Sequence, residues 1–290
     1  MSIKVFDDLA DAVAPYDGVI LDVWGCLHDG GAIFAEAAEA LAGLRDAAIP
    51  VVLLSNAPRR SDRVAEILAE KGLSPGLVRT ILTSGDAVRA ALAARNEPWA
   101  GALGQRVYHL GPARDGGLLD GLDYTETDDL DASDFILCTG LDGAEESITD
   151  YEAVLTAGAK HGLPMICANP DKTVARHGRV ELCAGALAAR YTELGGIVHA
   201  FGKPYADVYD LCLDALGIPD RGKVLAIGDG LETDIRGARD AGIDALLVTG
   251  GLLGQQLSTA PGARPSANEL EALARAVGTL PSAAIARMVW

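Results

Sequence analysis

The sequence predicts an α/β fold built on mostly parallel sheets, and three observations carry that expectation. Short apolar runs alternate with amphipathic stretches along most of the chain. The apolar runs are too short to cross a membrane and suit buried strands instead. At 290 residues with 49% hydrophobic content, the chain can build a large core and is not a disordered polymer.

The elements follow in order. Residues 18–21 read as a strand, and 36–48 as a helix with Ala37, Leu41 and Leu44 on one face. Residues 51–54 read as a second strand and 61–71 as a second helix. Further strands are expected at 107–110, 134–138, 165–167, 197–200, 224–227 and 245–248. Helices are expected at 148–161, 184–194, 205–216 and 232–241. The segment 254–267, rich in Gly, Pro, Ser and Thr, reads as a loop. No internal repeat or low-complexity linker divides the chain, whose length suits one large domain or two moderate ones.

The formal net charge of −17 argues against nucleic acid as a partner, which would require a basic footprint. It leaves a small anionic substrate open, because a few placed cations and a metal ion can invert the local field. The N-terminal segment turns acidic before any signal-like apolar stretch, so a cytoplasmic location is expected. Cys26, Cys138, Cys167, Cys183 and Cys212 are scattered without a CxxC pair and read as buried, reduced thiols.

In an open parallel sheet, ligands bind beyond the carboxyl ends of the strands. The first apolar run ends in Asp22 and the second in Ser55-Asn56. The run 197–200 leads to Lys203, and 224–227 leads to Asp229 with Asp234 beyond it. These groups suit phosphoryl transfer through an aspartyl-phosphate. A carboxylate is nucleophilic at neutral pH without losing a proton, but it repels an anionic phosphate. A magnesium ion (Mg2+) held by carboxylates screens that repulsion, while a lysine and a hydroxyl hold the phosphate oxygens.

The segments Asp22-Val23-Trp24-Gly25-Cys26-Leu27-His28-Asp29-Gly30, Leu54-Ser55-Asn56, Gly202-Lys203-Pro204 and Gly228-Asp229-Gly230-Leu231-Glu232-Thr233-Asp234-Ile235 carry a resemblance. Together they resemble the four ordered motifs of the haloacid dehalogenase (HAD) superfamily, and most closely its class IIA, the NagD-like and p-nitrophenylphosphatase-like group. Ala168-Asn169-Pro170-Asp171 and Cys183-Ala184-Gly185-Ala186-Leu187 are similar to further elements of that group. The resemblance implies a Rossmann-like core with an inserted α/β cap of the C2a type. It places the core at 1–86 and 192–290 and the cap at 87–191. It implies Asp22 as nucleophile and metal ligand, with the Trp24 backbone carbonyl, Asp229 and Asp234 as further magnesium ligands. Ser55, Asn56 and Lys203 would hold phosphate, and Asn169 and Asp171 of the cap would face the substrate. A small phosphorylated metabolite is the implied partner, with no nucleic acid or membrane, and a homodimer is open.

One position departs from the family pattern. An aspartate normally stands two residues after the nucleophile, where it protonates the leaving oxygen and then activates water. Trp24 stands there, and an indole N–H does neither. Such general acid–base help is worth about 10²–10⁴ in rate. Three explanations remain open: a substrate with a good leaving group, a surrogate among His28, Asp29 and Asp86, or binding without turnover. An aromatic residue here also resembles the superfamily's dehalogenases, but those work without metal and Asp229 and Asp234 retain the metal pattern.

Plainer roles stand beside these. Asp22 taken alone is a turn or cap residue, and Lys203 a surface lysine; the ordered motifs favour chemistry for both. Asp234 could stabilise a first helical turn, and Ser55 and Asn56 could serve a turn. His28-Asp29 reads first as a turn pair, and Asn169-Pro170-Asp171 as an Asx turn. Arg59 and Arg60 are either a source of positive potential or a solvated helix start, and His199 is a polar strand-end residue.

Overall fold

The computed structural model describes residues 3–177, 179–255, 257 and 262–290. Its strands in chain order are β1 (Lys4–Phe6), β2 (Gly18–Asp22), β3 (Val51–Ser55), β4 (Thr80–Thr83), β5 (Arg106–Leu110), β6 (Thr125–Glu126), β7 (Phe135–Cys138), β8 (Met165–Cys167), β9 (Thr173–Arg176), β10 (Arg179–Leu182), β11 (Val198–Ala200), β12 (Val224–Gly228), β13 (Asp244–Val248) and β14 (Ala283–Ile285).

Seven of them form a parallel sheet in the order β1-β14-β13-β12-β2-β3-β4. The middle strands are apolar at nearly every position because both faces are covered. Val19, Leu21, Val51 and Leu53 pack into one core with the helix Ala35–Asp46. Ile20, Val52 and Leu54 pack into the other with the helix Ala206–Leu216. From β2 the chain proceeds outward through β3 and β4, whereas β12 leads outward the other way through β13 and β14. The strand order therefore reverses between β2 and β12, and that switch point is where open α/β sheets bind ligands.

A second parallel sheet has the order β11-β8-β7-β5-β6. The helices Ile148–His161 and Ala184–Glu193 cover one face, and the helix Ser84–Ala94 packs Val88 and Leu92 on the other. β9 and β10 form a separate antiparallel hairpin.

The division expected at 86/87 and 191/192 differs from the strand and core assignments. The helix Ser84–Ala94 spans the first boundary, and its apolar side belongs to the second sheet's core. β11 lies past the second boundary yet pairs with β8, because parallel pairing of Val198–Ala200 with Met165–Cys167 extends that sheet by one strand. The chain thus enters the second unit near Ser84 and leaves it near Phe201.

The helix expected at 232–241 begins as a wide π-type turn over Leu231–Ile235 and continues as an α-helix over Arg236–Asp240. The loop expected at 254–267 falls partly on residues 256 and 258–261, which lie outside the described residues. All five cysteines are free thiols. Among the described residues no helix is long and apolar enough to cross a membrane.

Candidate active site

Register places the first site residues. Ile227 of β12 pairs with Leu21, and Asp22 pairs with Leu54. Asp22 therefore ends β2 beside Gly228, with Asp229 one residue beyond and Ser55 one residue beyond Leu54. The π-type turn then brings Asp234 back to the same edge, its Oδ2 accepting from the Gly230 N–H at 3.1 Å. Such wide turns recur at functional sites because they re-aim a side chain that a regular helix would carry away.

Asp22, Asp229 and Asp234 are buried, and a set of their carboxylate oxygens lies within 4.8 Å of one another. Lys203, only 3% exposed, donates from Nζ to Asp22 Oδ1 and, at 2.7 Å, to Asp234 Oδ1. Asp229 Oδ2 accepts from the Leu252 N–H at 2.7 Å. Gly25 makes the close approach possible: its φ is +80°, and a Cβ there would lie 1.9 Å from Asp229 Oδ2.

Burial pushes Asp22 well above the ordinary carboxylate range, Lys203 opposes the shift, and Asp234 and Asp229 add to it. Burial, with Asp234 beside it, pushes Asp229 up to about 7. Burial alone would pull the Lys203 amine down, but Asp22 and Asp234 outweigh it and hold the amine well above its ordinary value. Fully ionised, the three carboxylates and one ammonium would leave this buried cluster two negative charges in excess, and that repulsion adds to burial in raising Asp22 and Asp229. A divalent cation brings it to neutrality, and an all-oxygen donor set suits a hard ion such as magnesium. The residues present therefore fit a divalent metal.

Ser55 Oγ accepts from the Ala57 N–H at 3.2 Å and keeps its own proton to donate. Asn56 is committed elsewhere. Its Nδ2 donates to Asp171 Oδ1 at 2.9 Å and to the Lys203 carbonyl at 3.1 Å, and its Oδ1 accepts from the Lys203 N–H at 2.8 Å. The amide side chain thus fixes the Lys203 backbone. Asp171 N–H closes an Asx turn on Asn169 Oδ1 at 3.0 Å, and burial pushes its carboxyl up to about 6.

These groups open into a cavity of about 460 Å³ between the two sheets, lined also by Trp24, Asn169 and Asp171. The three expected surrogates for the missing acid do not line it. His28 is buried beneath the first-motif loop, its Nδ1 accepting from the Gly30 N–H at 3.0 Å. Burial, with the charges of Lys71 and Arg176, pushes the His28 imidazole down to about 4, so it is neutral at pH 7. Asp29 offers its carbonyl to the His177 N–H at 3.1 Å. Asp86 Oδ2 accepts from the Ser61 N–H at 3.0 Å, at the start of the helix Ser61–Glu70.

Arg59 reaches across to the buried Asp115 of the second unit, whereas Arg60 pairs with exposed Asp62 at 2.8 Å. His199 stacks on Trp99 with ring centroids 4.2 Å apart. Arg114, Asp115, Arg176 and Glu181 line the cavity although sequence reasoning did not single them out. They come from the second unit, which carries no spacing pattern tied to the first sheet. The sequence signal for Arg176 and Glu181 is the pair of short runs 173–176 and 179–182, whose length and separation suit a hairpin.

The chain matches two related families in succession: Haloacid dehalogenase-like hydrolase over residues 19–125 and HAD-hydrolase-like over residues 200–275. It is 26% identical over 244 residues to the 5'-nucleotidase YutF of Bacillus subtilis, covering 82% of this chain and 88% of that protein. An acid sugar phosphatase of Staphylococcus saprophyticus is likewise 26% identical, over 240 residues, with the same coverages of 82% and 88%. Among solved structures, a hydrolase of the haloacid dehalogenase-like family from Brucella suis superposes with a TM-score of 0.83 at 32% identity, covering 98% of this chain and 100% of that one. NagD from Escherichia coli shares the fold at a TM-score of 0.64 and 22% identity, over 94% of this chain and 97% of its own. A p-nitrophenyl phosphatase from Archaeoglobus fulgidus does so at 0.69 and 20%, again over 94% and 97%.

Proposed function

The chain belongs to the haloacid dehalogenase-like hydrolases, and on that premise we propose that it is a class IIA member, a magnesium-dependent phosphatase of a small phosphorylated metabolite, with Asp22 as nucleophile. The observation that carries the reading is the buried cluster of Asp22, Asp229, Asp234 and Lys203 at the sheet's switch point. The names of the relatives, a 5'-nucleotidase and an acid sugar phosphatase, support phosphomonoesters as the substrate class.

Asp22, Asp229, Asp234 and the Trp24 carbonyl would hold the metal, which screens phosphate charge and orients the phosphoryl group when bound. The Asp22 carboxylate attacks phosphorus in line with the leaving oxygen, forming an aspartyl-phosphate. The Lys203 ammonium and the Ser55 hydroxyl hold the phosphoryl oxygens as charge redistributes. Asn56 keeps the lysine in place through its backbone. Water then attacks the aspartyl-phosphate, regenerating Asp22 and releasing phosphate.

The second unit, approximately residues 84–201, acts as a cap that covers the cavity and chooses the substrate. Because Trp24 contributes no proton, substrates whose leaving oxygen is already a weak base are favoured. The five free thiols support a reducing, cytoplasmic setting.

The test is phosphate release from a panel of phosphomonoesters with magnesium, comparing wild type with Asp22→Asn. Turnover in the wild type and its loss in the variant are expected; equal rates overturn the reading. A second reading, binding of a phosphorylated ligand without turnover, rests on Trp24. It is favoured if calorimetry detects tight binding while the panel stays silent.

A further inference from the structure

The residue in place of the missing acid has partners of its own. Trp24 Nε1 donates to the Ala175 carbonyl at 2.7 Å. The Arg176 guanidinium lies over the indole, its Cζ 4.6 Å from the ring centroid. One residue further, the His177 N–H donates to the Asp29 carbonyl at 3.1 Å. Three consecutive residues of the β9–β10 segment are thereby fastened to the loop that follows the nucleophile. From below, the His28 ring meets the indole edge-on at 4.7 Å and fixes its plane.

These contacts add to the few others the hairpin makes among the described residues, where Leu182 packs on the second sheet's core and Arg179 pairs with Glu145 at 2.9 Å. The hairpin belongs to neither sheet, and a two-stranded hairpin alone is marginal in water. All of β9 is only half-buried, and Arg179 and Val180 of β10 are exposed. Yet it carries two charged residues into the cavity wall, Arg176 and Glu181, whose Nε and Oε2 lie 2.8 Å apart. Arg176 Nε makes no well-directed hydrogen bond, so its orientation rests on the indole stack and that ion pair.

We propose that Trp24 is a positioning residue for substrate recognition: its indole seats the β9–β10 hairpin over the site so that Arg176 and Glu181 meet the part of the substrate beyond the phosphoryl group. The occupant is then a phosphomonoester with polar or charged groups on its non-phosphate end. An aspartate at this position is shorter and, when ionised, has no proton to donate to the Ala175 carbonyl. Proton transfer and hairpin seating are therefore exclusive uses of one position. Only the identity of the substrate rests on the phosphatase reading; the seating itself is measurable without turnover.

Hydrogen exchange read by mass spectrometry on peptides spanning 173–182 tests it, in the intact wild type and in Trp24→Phe, Trp24→Leu and Trp24→Asp. Loss of one net hydrogen bond in Trp24→Phe is expected to speed hairpin exchange about fivefold. Trp24→Leu, which also loses the stack, is expected to be faster still. The helix Ser61–Glu70 serves as the folding control and keeps its wild-type protection. Hairpin exchange at the wild-type rate in Trp24→Leu overturns the proposal, whether or not the chain turns over any phosphomonoester. For substrates that do turn over, KM is expected to rise by a larger factor than the inhibition constant of inorganic phosphate. A fall in kcat alone, with KM and hairpin exchange unchanged, also overturns it.

Discussion

Lys203→Met removes the only cation that touches the carboxylate cluster among the described residues. Methionine keeps a similar length and fills the space, so the change is chiefly one of charge. In wild type, three carboxylates face one ammonium; in the variant they face none. Removing one partner of a buried pair costs about 3–5 kcal/mol, because the remaining charges stay desolvated. For a chain of this size that corresponds to a fall in Tm of about 6–20 °C, at roughly 2–4 °C per kcal/mol. The assay is thermal unfolding at neutral pH, first with chelator and then across a magnesium series. With chelator the full deficit is expected. With magnesium it narrows, because the variant's cluster, lacking the ammonium, binds the cation more tightly and so gains more stability by mass action than wild type does. Loss of a donor to the phosphoryl oxygens should also lower kcat about 10²–10³-fold. A variant with the wild-type Tm in chelator would refute the reasoning, since the amine would then not be compensating the carboxylates.

Other consequences follow from single contacts. Gly25→Ala places a Cβ against Asp229 in a left-handed turn, and magnesium affinity by calorimetry is expected to drop at least tenfold along with activity. Asn56→Ala leaves the Lys203 N–H without its acceptor and the Lys203 carbonyl without one donor, a cost of about 1–3 kcal/mol for an unsatisfied buried group in denaturant unfolding. His28 is held neutral with its pKa pushed down to about 4, so the unfolded chain binds a proton that the folded chain refuses between pH about 6.5 and 4. Stability attributable to His28 is thus present above pH 6.5 and is lost as pH falls to about 4, by at most about 3 kcal/mol. His28→Asn, which keeps an acceptor for Gly30, should flatten that part of the acid limb; an unchanged limb would contradict the shift.

The parts of the site that the sequence made legible share one physical cause. Asp22, Ser55 and Asp229 sit one or two residues beyond the ends of apolar runs, and parallel pairing of adjacent strands must bring such ends to one edge. Asp234 and Lys203 were readable from motif spacing, although the wide turn that returns Asp234 to the edge was not. Asn56 illustrates what spacing cannot show. Its position beside Ser55 suggests phosphate, yet its side chain is spent on Lys203 and Asp171 from two distant segments. The placement of β11 and the hairpin was also hidden. A three-residue strand such as Val198–Ala200 carries no mark of which sheet it joins, because pairing partners are set by tertiary packing. Trp24 looked like a loss when read against the acid it replaces. The structure gives its indole a donor role and a stacking partner.

The nucleophilic role of Asp22 is tested most directly by trapping the intermediate. Wild-type protein is mixed with magnesium and a turned-over phosphomonoester, quenched in acid within the first turnovers, reduced with borohydride and mapped by mass spectrometry. Because Trp24 provides no base to speed hydrolysis, the aspartyl-phosphate is expected to accumulate, and Asp22 should appear reduced to homoserine. Turnover without modification of Asp22, or modification at another carboxylate, would contradict the assignment.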